Sequence, residues 1–149
     1  VRQGVDFMIA HCREHGGLIA EVRVESQRYR PFALEHTLAS VLWGMPGAAG
    51  VSPLHRELLR GVKHDLSDVS ASVLTTALLD LISAVAEDSP LLIALEEPEV
   101  YSRGALRSLI HGIAALKGCP VLLLVLARSG TAPPAPLYYW RPSVFQSTV

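Results

Sequence analysis

Two short stretches of the chain are apolar without interruption, Leu91-Leu92-Ile93-Ala94-Leu95 and Val121-Leu122-Leu123-Leu124-Val125-Leu126. Neither alternates apolar with polar residues, so each reads as a strand covered on both faces. Between them Leu106, Leu109, Ile110, Ile113 and Leu116 recur at helical spacing, with Ser102 as an N-cap and Lys117-Gly118 as a stop. Strand, helix and strand joined by short links imply parallel neighbours and a right-handed crossover. That unit confines the chain to an α/β architecture, with helices covering both sides of a sheet.

The flanking sequence extends the same plan. Val5, Met8, Ile9 and Cys12 mark an amphipathic helix that stops at Gly16-Gly17, and Leu18 to Val24 follows as a strand. Pro31 opens a helix whose apolar stripe is Phe32, Leu34, Leu38, Val41 and Leu42, and Gly44, Pro46, Gly47 and Gly50 end it. Pro53 to Arg60 reads as a short helix and Gly61 to Ser70 as a surface connection. From Ala71 to Val85 the residues Val73, Leu74, Ala77, Leu78, Leu81, Ile82 and Val85 share one broad helical face. The predicted fold is a three-layer α/β/α sandwich with a mainly parallel sheet over residues 1–130. Residues 131–149 carry Pro133, Pro134, Pro136 and Pro142 around Leu137-Tyr138-Tyr139-Trp140, and read as one more strand or an extended end.

Composition removes several classes of function. Thirteen Lys and Arg against fourteen Asp and Glu leave a net charge of −1 over 149 residues, which fits neither a polybasic nucleic-acid arm nor a membrane-surface helix. Arg23, Arg28 and Arg30 are the only local cluster of cations, so direct nucleic-acid binding is not expected. Mean hydropathy is +0.32, yet the run Val121–Leu126 is far shorter than the roughly 20 residues a spanning helix needs. No membrane span is predicted. Val1 to Asp6 has no leader pattern, and a start without Met reads as a cut. Cys12 and Cys119 lie far apart in apolar settings, which predicts reduced thiols and a cytoplasmic chain.

The pattern richest in chemistry is Glu96-Glu97, placed directly after the Leu91–Leu95 strand. The carboxyl ends of parallel strands form the ligand edge of such sheets, and an apolar strand ending in two acids has the layout of a Walker B element. In that layout Glu96 holds Mg²⁺ and Glu97 polarises the attacking water; acids marking a strand's exit into solvent are the ordinary alternative. His11 and His15 share a helix face at i, i+4, as zinc ligands do, with Cys12 between them. Glu14 is not placed as in a His-Glu-x-x-His site, and a solvated helix end explains the group more simply. His55 and His64 have no patterned partners, and no nucleophile elbow or Cys–His pattern is present.

The stretch from Leu78-Leu79-Asp80-Leu81 through Ser89-Pro90-Leu91-Leu92-Ile93-Ala94-Leu95-Glu96-Glu97 to Pro120–Arg128 resembles the AAA-type ATPase domain of large bacterial regulators. These are the ATP-binding LuxR-type and related STAND-like transcriptional regulators. Cys12–Val24, followed by Tyr29-Arg30-Pro31-Phe32-Ala33-Leu34, is similar to the helix, second strand and helix start of that family. The resemblance covers most of residues 4–130 and implies a P-loop NTPase-like (partial) fold, with ATP and Mg²⁺ as cofactors of the intact parent. It further implies that Glu96 contacts the metal, Glu97 orients water, Arg128 senses the terminal phosphate, and Arg2 and Gln3 fall near the lysine and hydroxyl positions of the phosphate loop. The sequence departs from the family in two ways. It has no Gly-x-x-x-x-Gly-Lys-Ser/Thr, so tight ATP binding and turnover are not expected of this chain by itself, and Glu96 stands where the family has Asp.

Glu96-Glu97-Pro98-Glu99 is also similar to the turn of ABC- and OLD-type ATPases, but Ser70-Ala71-Ser72-Val73 and Arg128-Ser129-Gly130 match neither of their flanking motifs. The functional expectation is a nucleotide-switch domain, with a catalytically inactive scaffold for protein contacts or an ABC/OLD-type fragment as alternatives. Its expected partners are a nucleotide, if a phosphate loop lies upstream, and other domains of the parent or a second copy of the chain.

Overall fold

Strands that are apolar on both faces need two layers of cover, and the chain supplies one from its first helix and the other from helices that connect the strands. The computed structural model describes residues 2–23, 32–61, 70–127 and 144–148. Helix α1 (Arg2–Glu14) leads into β1 (Leu18–Val22); α2 (Ala33–Leu42), α3 (Pro53–Gly61) and α4 (Ala71–Asp88) follow. Then come β2 (Leu91–Glu96), α5 (Arg103–Ala115), β3 (Val121–Ala127) and β4 (Val144–Thr148). The strands lie in the order β1-β2-β3-β4 and every neighbouring pair is parallel, with Leu18 opposite Leu91 and Leu91 opposite Val121.

Alternate strand residues enter two separate cores, as the pleat demands. Ala20, Val22, Leu91, Ile93, Leu95, Leu123 and Val125 pack with Leu38 of α2, Leu78 and Leu81 of α4 and Ile110 of α5. On the opposite face Ile19, Leu92, Leu122, Leu124 and Leu126 meet Val5, Ile9 and Cys12 of α1. This is the three-layer α/β/α arrangement predicted from the two apolar runs. Cys12 and Cys119 are both free and belong to opposite faces of the sheet, which rules out a bond between them. Among the described residues no helix is long and apolar enough to cross a membrane.

Element ends follow local chemistry. α1 closes in a Schellman arrangement: Gly17 N–H donates to Cys12 O at 2.8 Å and Gly16 N–H to Arg13 O at 3.1 Å, with Gly16 at φ 76°. Ser70 caps α4 and Ser102 caps α5 through their hydroxyls. Helix α4 runs to Asp88, beyond the predicted end at Val85, and β1 stops at Val22 rather than Val24. Helix α2 starts at Ala33 after Phe32 in a left-handed conformation, while its predicted opener Pro31 lies outside the described residues. Gly47 also has positive φ, 89°, and a Cβ there would sit 2.7 Å from the Ala84 carbonyl, so only glycine lets this loop lie against α4. Of the predicted C-terminal end, β4 realises the extra strand; Tyr138, Tyr139 and Trp140 lie outside the described residues.

His55, which has no patterned partner in the sequence, gains one from the fold. Its Nδ1 is 2.7 Å from Asp80 Oδ2 on α4, and Ser52 N–H donates to the same oxygen at 3.1 Å. The Ser52 hydroxyl accepts from His55 N–H at 3.4 Å, so the start of α3 is tied to the middle of α4. Burial alone would raise the Asp80 pKa, but the hydrogen bonds from His55 and Ser52 and the His55 charge outweigh it, and the carboxyl is held below its ordinary value. A lowered carboxyl contributes stability above its unfolded-state pKa and loses it as pH falls through the folded value. Asp80→Asn is therefore expected to cost about 1 kcal/mol at neutral pH in urea unfolding. The figure is small because the two side chains keep 24% and 34% of their surface in solvent. The deficit should shrink as pH drops below 3.8; a constant deficit across that window would remove the ion pair from the account.

Candidate functional site

All described strands present their carboxyl ends at one edge, and β2 delivers Glu96 and Glu97 there from between two parallel neighbours. This is the position the sequence predicts for them. The pleat then gives them different surroundings. Glu96 has the parity of Leu92 and lies on the α1 side of the sheet, where Arg23 Nε is 3.7 Å from its Oε2. Arg23 Nη2 also donates to Glu21 Oε2 at 3.2 Å, so an arginine sits between two acids. With side-chain exposures of 58% for Arg23 and 37% for Glu96, this pair contributes roughly 0–1 kcal/mol and leaves the carboxylate accessible.

Glu97 N–H donates to Leu126 O at 3.2 Å, extending the β2–β3 ladder by one residue. Its backbone then turns sharply, with φ 51° and ψ 57°, immediately before Pro98. A side chain in this left-handed region costs about 1–2 kcal/mol, and a following proline pushes its neighbour toward extended conformations. Glu97 is thus disfavoured twice where it stands. A short 3₁₀ turn, Pro98–Val100, follows and carries Tyr101 inward to 7% exposure in the larger core. Burial pushes the Tyr101 phenol up; the Thr37 hydroxyl opposes the shift and the Glu97 charge adds to it. Thr37 gives its own proton to Ala33 O at 2.7 Å, and Tyr101 Oη has no hydrogen-bond partner among the described residues.

A second buried polar group lies nearby in sequence, in the first turn of α2. Glu35 is 4% exposed and its Oε2 has no hydrogen-bond partner among the described residues. Burial raises its pKa, and a hydrogen bond from its own backbone only partly offsets this. Glu35 belongs to no motif, but an acid inside an apolar stripe, one residue after Leu34 and one turn before Leu38 and Ala39, is a readable sign of burial. Tyr101 and Thr37 give no such sign, because only the turn after Glu97 brings Tyr101 toward Thr37 of α2.

Helix α1 supplies the other component of this edge. It runs antiparallel to β1: its last turns, with His11 and Cys12, line the amino ends of β2 and β3 at Pro90–Leu92 and Pro120–Leu122, while Val5 belongs with Leu124 and Leu126. Its first turn, opened by Arg2, therefore arrives at the carboxyl edge on the side that carries Glu96. Arg128 lies outside the described residues, as do Arg28 and Arg30.

The donor set at this edge is Glu96 at the end of β2 and Glu97 just after it, with Glu21 linked to Glu96 through Arg23. Among the described residues no group of three or more His, Cys, Asp or Glu side chains could hold a metal by itself. Mg²⁺ takes one or two carboxylates and keeps several waters, so Glu96 and Glu97 are the side chains at this edge that could hold it. For nucleotide phosphates the fit is partial: α1 offers a helix amino end, and the sequence contains no Gly-rich loop with lysine. The consecutive strand order also places no reversal point within the four described strands. No family model, curated protein or solved structure matches this chain.

Two outcomes test this description. Because the folded-state pKa of Glu35 is raised, its protonated form stabilises the fold at low pH, and that contribution is lost as pH rises from 4.5 through the folded value. Glu35→Gln should raise the melting temperature at neutral pH and be indistinguishable from the parent below 4.5. A lower melting temperature at neutral pH would mean that the carboxylate is paired. Glu97→Gly should gain up to about 1 kcal/mol in denaturant unfolding by releasing the left-handed strain; a net loss would show that the side chain's contacts outweigh it.

Proposed function

We propose that this chain is an ATPase-like nucleotide-switch domain of P-loop NTPase type, of the kind found in large bacterial transcriptional regulators. In this reading Glu96 holds the Mg²⁺ that accompanies a nucleoside triphosphate. Glu97 orients the attacking water, Arg128 approaches the terminal phosphate, and Arg2 lies near the phosphate chain. The observation that supports it most is the convergence on one sheet edge of the Glu96-Glu97 pair and the amino end of α1. The two acids offer hard oxygen donors to a cation, and the first turn of α1 stands beside them where a phosphate chain would run. The strain at Glu97 also supports it, since strained backbone such as an acid at φ 51° before a proline clusters at functional sites. The reading needs a phosphate-cradling loop from outside this sequence, and these residues alone are not expected to turn over ATP.

A specific observation favours a second reading, a catalytically inactive scaffold that keeps the fold and uses its faces for protein contacts. The Arg23 guanidinium already stands against Glu96, where a metal would sit. The two readings separate in one titration followed by amide NMR: MgCl₂ alone, then MgCl₂ with a non-hydrolysable ATP analogue. The switch reading expects the amides of Glu96, Glu97 and the first turn of α1 to shift together. Glu96→Gln should abolish the Mg²⁺-dependent part, and Arg23→Ala should tighten Mg²⁺ binding about 2- to 5-fold, the equivalent of one surface ion pair. No shift at saturating ligand, or the same shift in Glu96→Gln, selects the scaffold.

A further inference from the structure

The spacing of His11 and His15 fits a solvated helix end as well as a ligand pair, and two features of the structure go beyond spacing. The two exposed imidazoles lie with ring centroids 4.2 Å apart at a 41° tilt, close enough to address one ion. His15 Nδ1 is 2.8 Å from the His11 carbonyl oxygen. A carbonyl only accepts, so Nδ1 is the donor, which in the neutral ring leaves the lone pair on Nε2. That is the arrangement by which metal-binding histidines are oriented, one ring nitrogen donating to a backbone carbonyl and the other left to the metal.

We propose that His11 and His15 form a two-nitrogen half-site on the outer face of α1 for a borderline transition-metal ion, Zn²⁺, Ni²⁺ or Cu²⁺, whose remaining positions are filled by water. The surroundings hold the pair in place. Phe7, one turn earlier, stacks on His11 with centroids 6.1 Å apart and planes 16° from parallel. The Schellman closure at Gly16-Gly17 fixes His15 at the helix end. Cys12 takes no part: its sulfur lies under Gly17, where any Cβ would collide with it, and it packs toward Ile19 and Leu122 of the sheet. Among the described residues no third His, Cys, Asp or Glu joins the pair. Imidazole nitrogens select these ions over Mg²⁺ and Ca²⁺, so the half-site is chemically separate from the carboxylates at the opposite end of the strands.

The test uses the untagged chain and the metal ions themselves. Isothermal titration with Zn²⁺ and Ni²⁺ should give one ion per chain, with a rise in melting temperature, and Mg²⁺ should give neither. His11→Gln and His15→Gln should each weaken binding roughly 100-fold or more, because two donors on one rigid helix act as a linked pair. Cys12→Ser should bind as the parent does. In the unsubstituted chain, a trace of Cu²⁺ should broaden the ring signals of His11 and His15 before any others, a readout independent of whether a variant folds. Full binding by the double histidine variant, loss of binding in Cys12→Ser, or broadening that begins elsewhere would each overturn the assignment.

Discussion

The two-sided burial of β2 and β3 is the constraint from which the rest of the structure follows. Leu91 to Leu95 are all buried, and residues of opposite parity enter different cores. Such a strand satisfies its backbone laterally, through parallel neighbours, and its side chains above and below. The crossover helices α2, α4 and α5 supply one layer. The other layer on the described chain comes from α1, which precedes the sheet. Because parallel strands point the same way, that packing requirement also brings the carboxyl ends of all the strands to one edge.

At that edge, ordinary sheet geometry separates two adjacent acids. The pleat gives Glu96 to the α1 side and to Arg23, while the left-handed backbone at Glu97 ends the strand and starts the turn that buries Tyr101. On the Glu96 side Arg23 stands between two acids, Glu21 and Glu96, and the Glu97 charge acts on Tyr101. Three buried polar atoms, Glu35 Oε2, Arg56 Nε and Tyr101 Oη, have no hydrogen-bond partner among the described residues, in a molecule whose other buried groups are overwhelmingly apolar.

Much of the fold was legible in the sequence, because burial on two faces leaves a strong mark: uninterrupted apolar runs for β2 and β3, helical spacing for α4 and α5, and a serine cap ahead of α5. The position of Glu96-Glu97 followed from those runs. The site's details did not, since they depend on contacts between distant segments. Asp80 reaches His55 across 25 residues, and no spacing rule announces that pair. Arg23 reads as part of a basic cluster until the register of β1 against β2 sets it beside Glu96. The strain at Glu97 is likewise invisible in Glu-Glu-Pro-Glu, because a glutamate before proline suggests extended chain.

The two cores differ greatly in size, and this has a consequence for how the molecule breathes. On one side several helices interlock with the strands and with each other, so that no one of them can leave without exposing the rest. On the other, α1 is held as a single veneer by a few residues around Val5 and Ile9. A slab clad this unevenly opens first on its thin side. Among the described residues, the helix whose first turn reaches the carboxyl edge is thus also the one least interlocked with the rest, so a ligand seated there would tighten a thin seam.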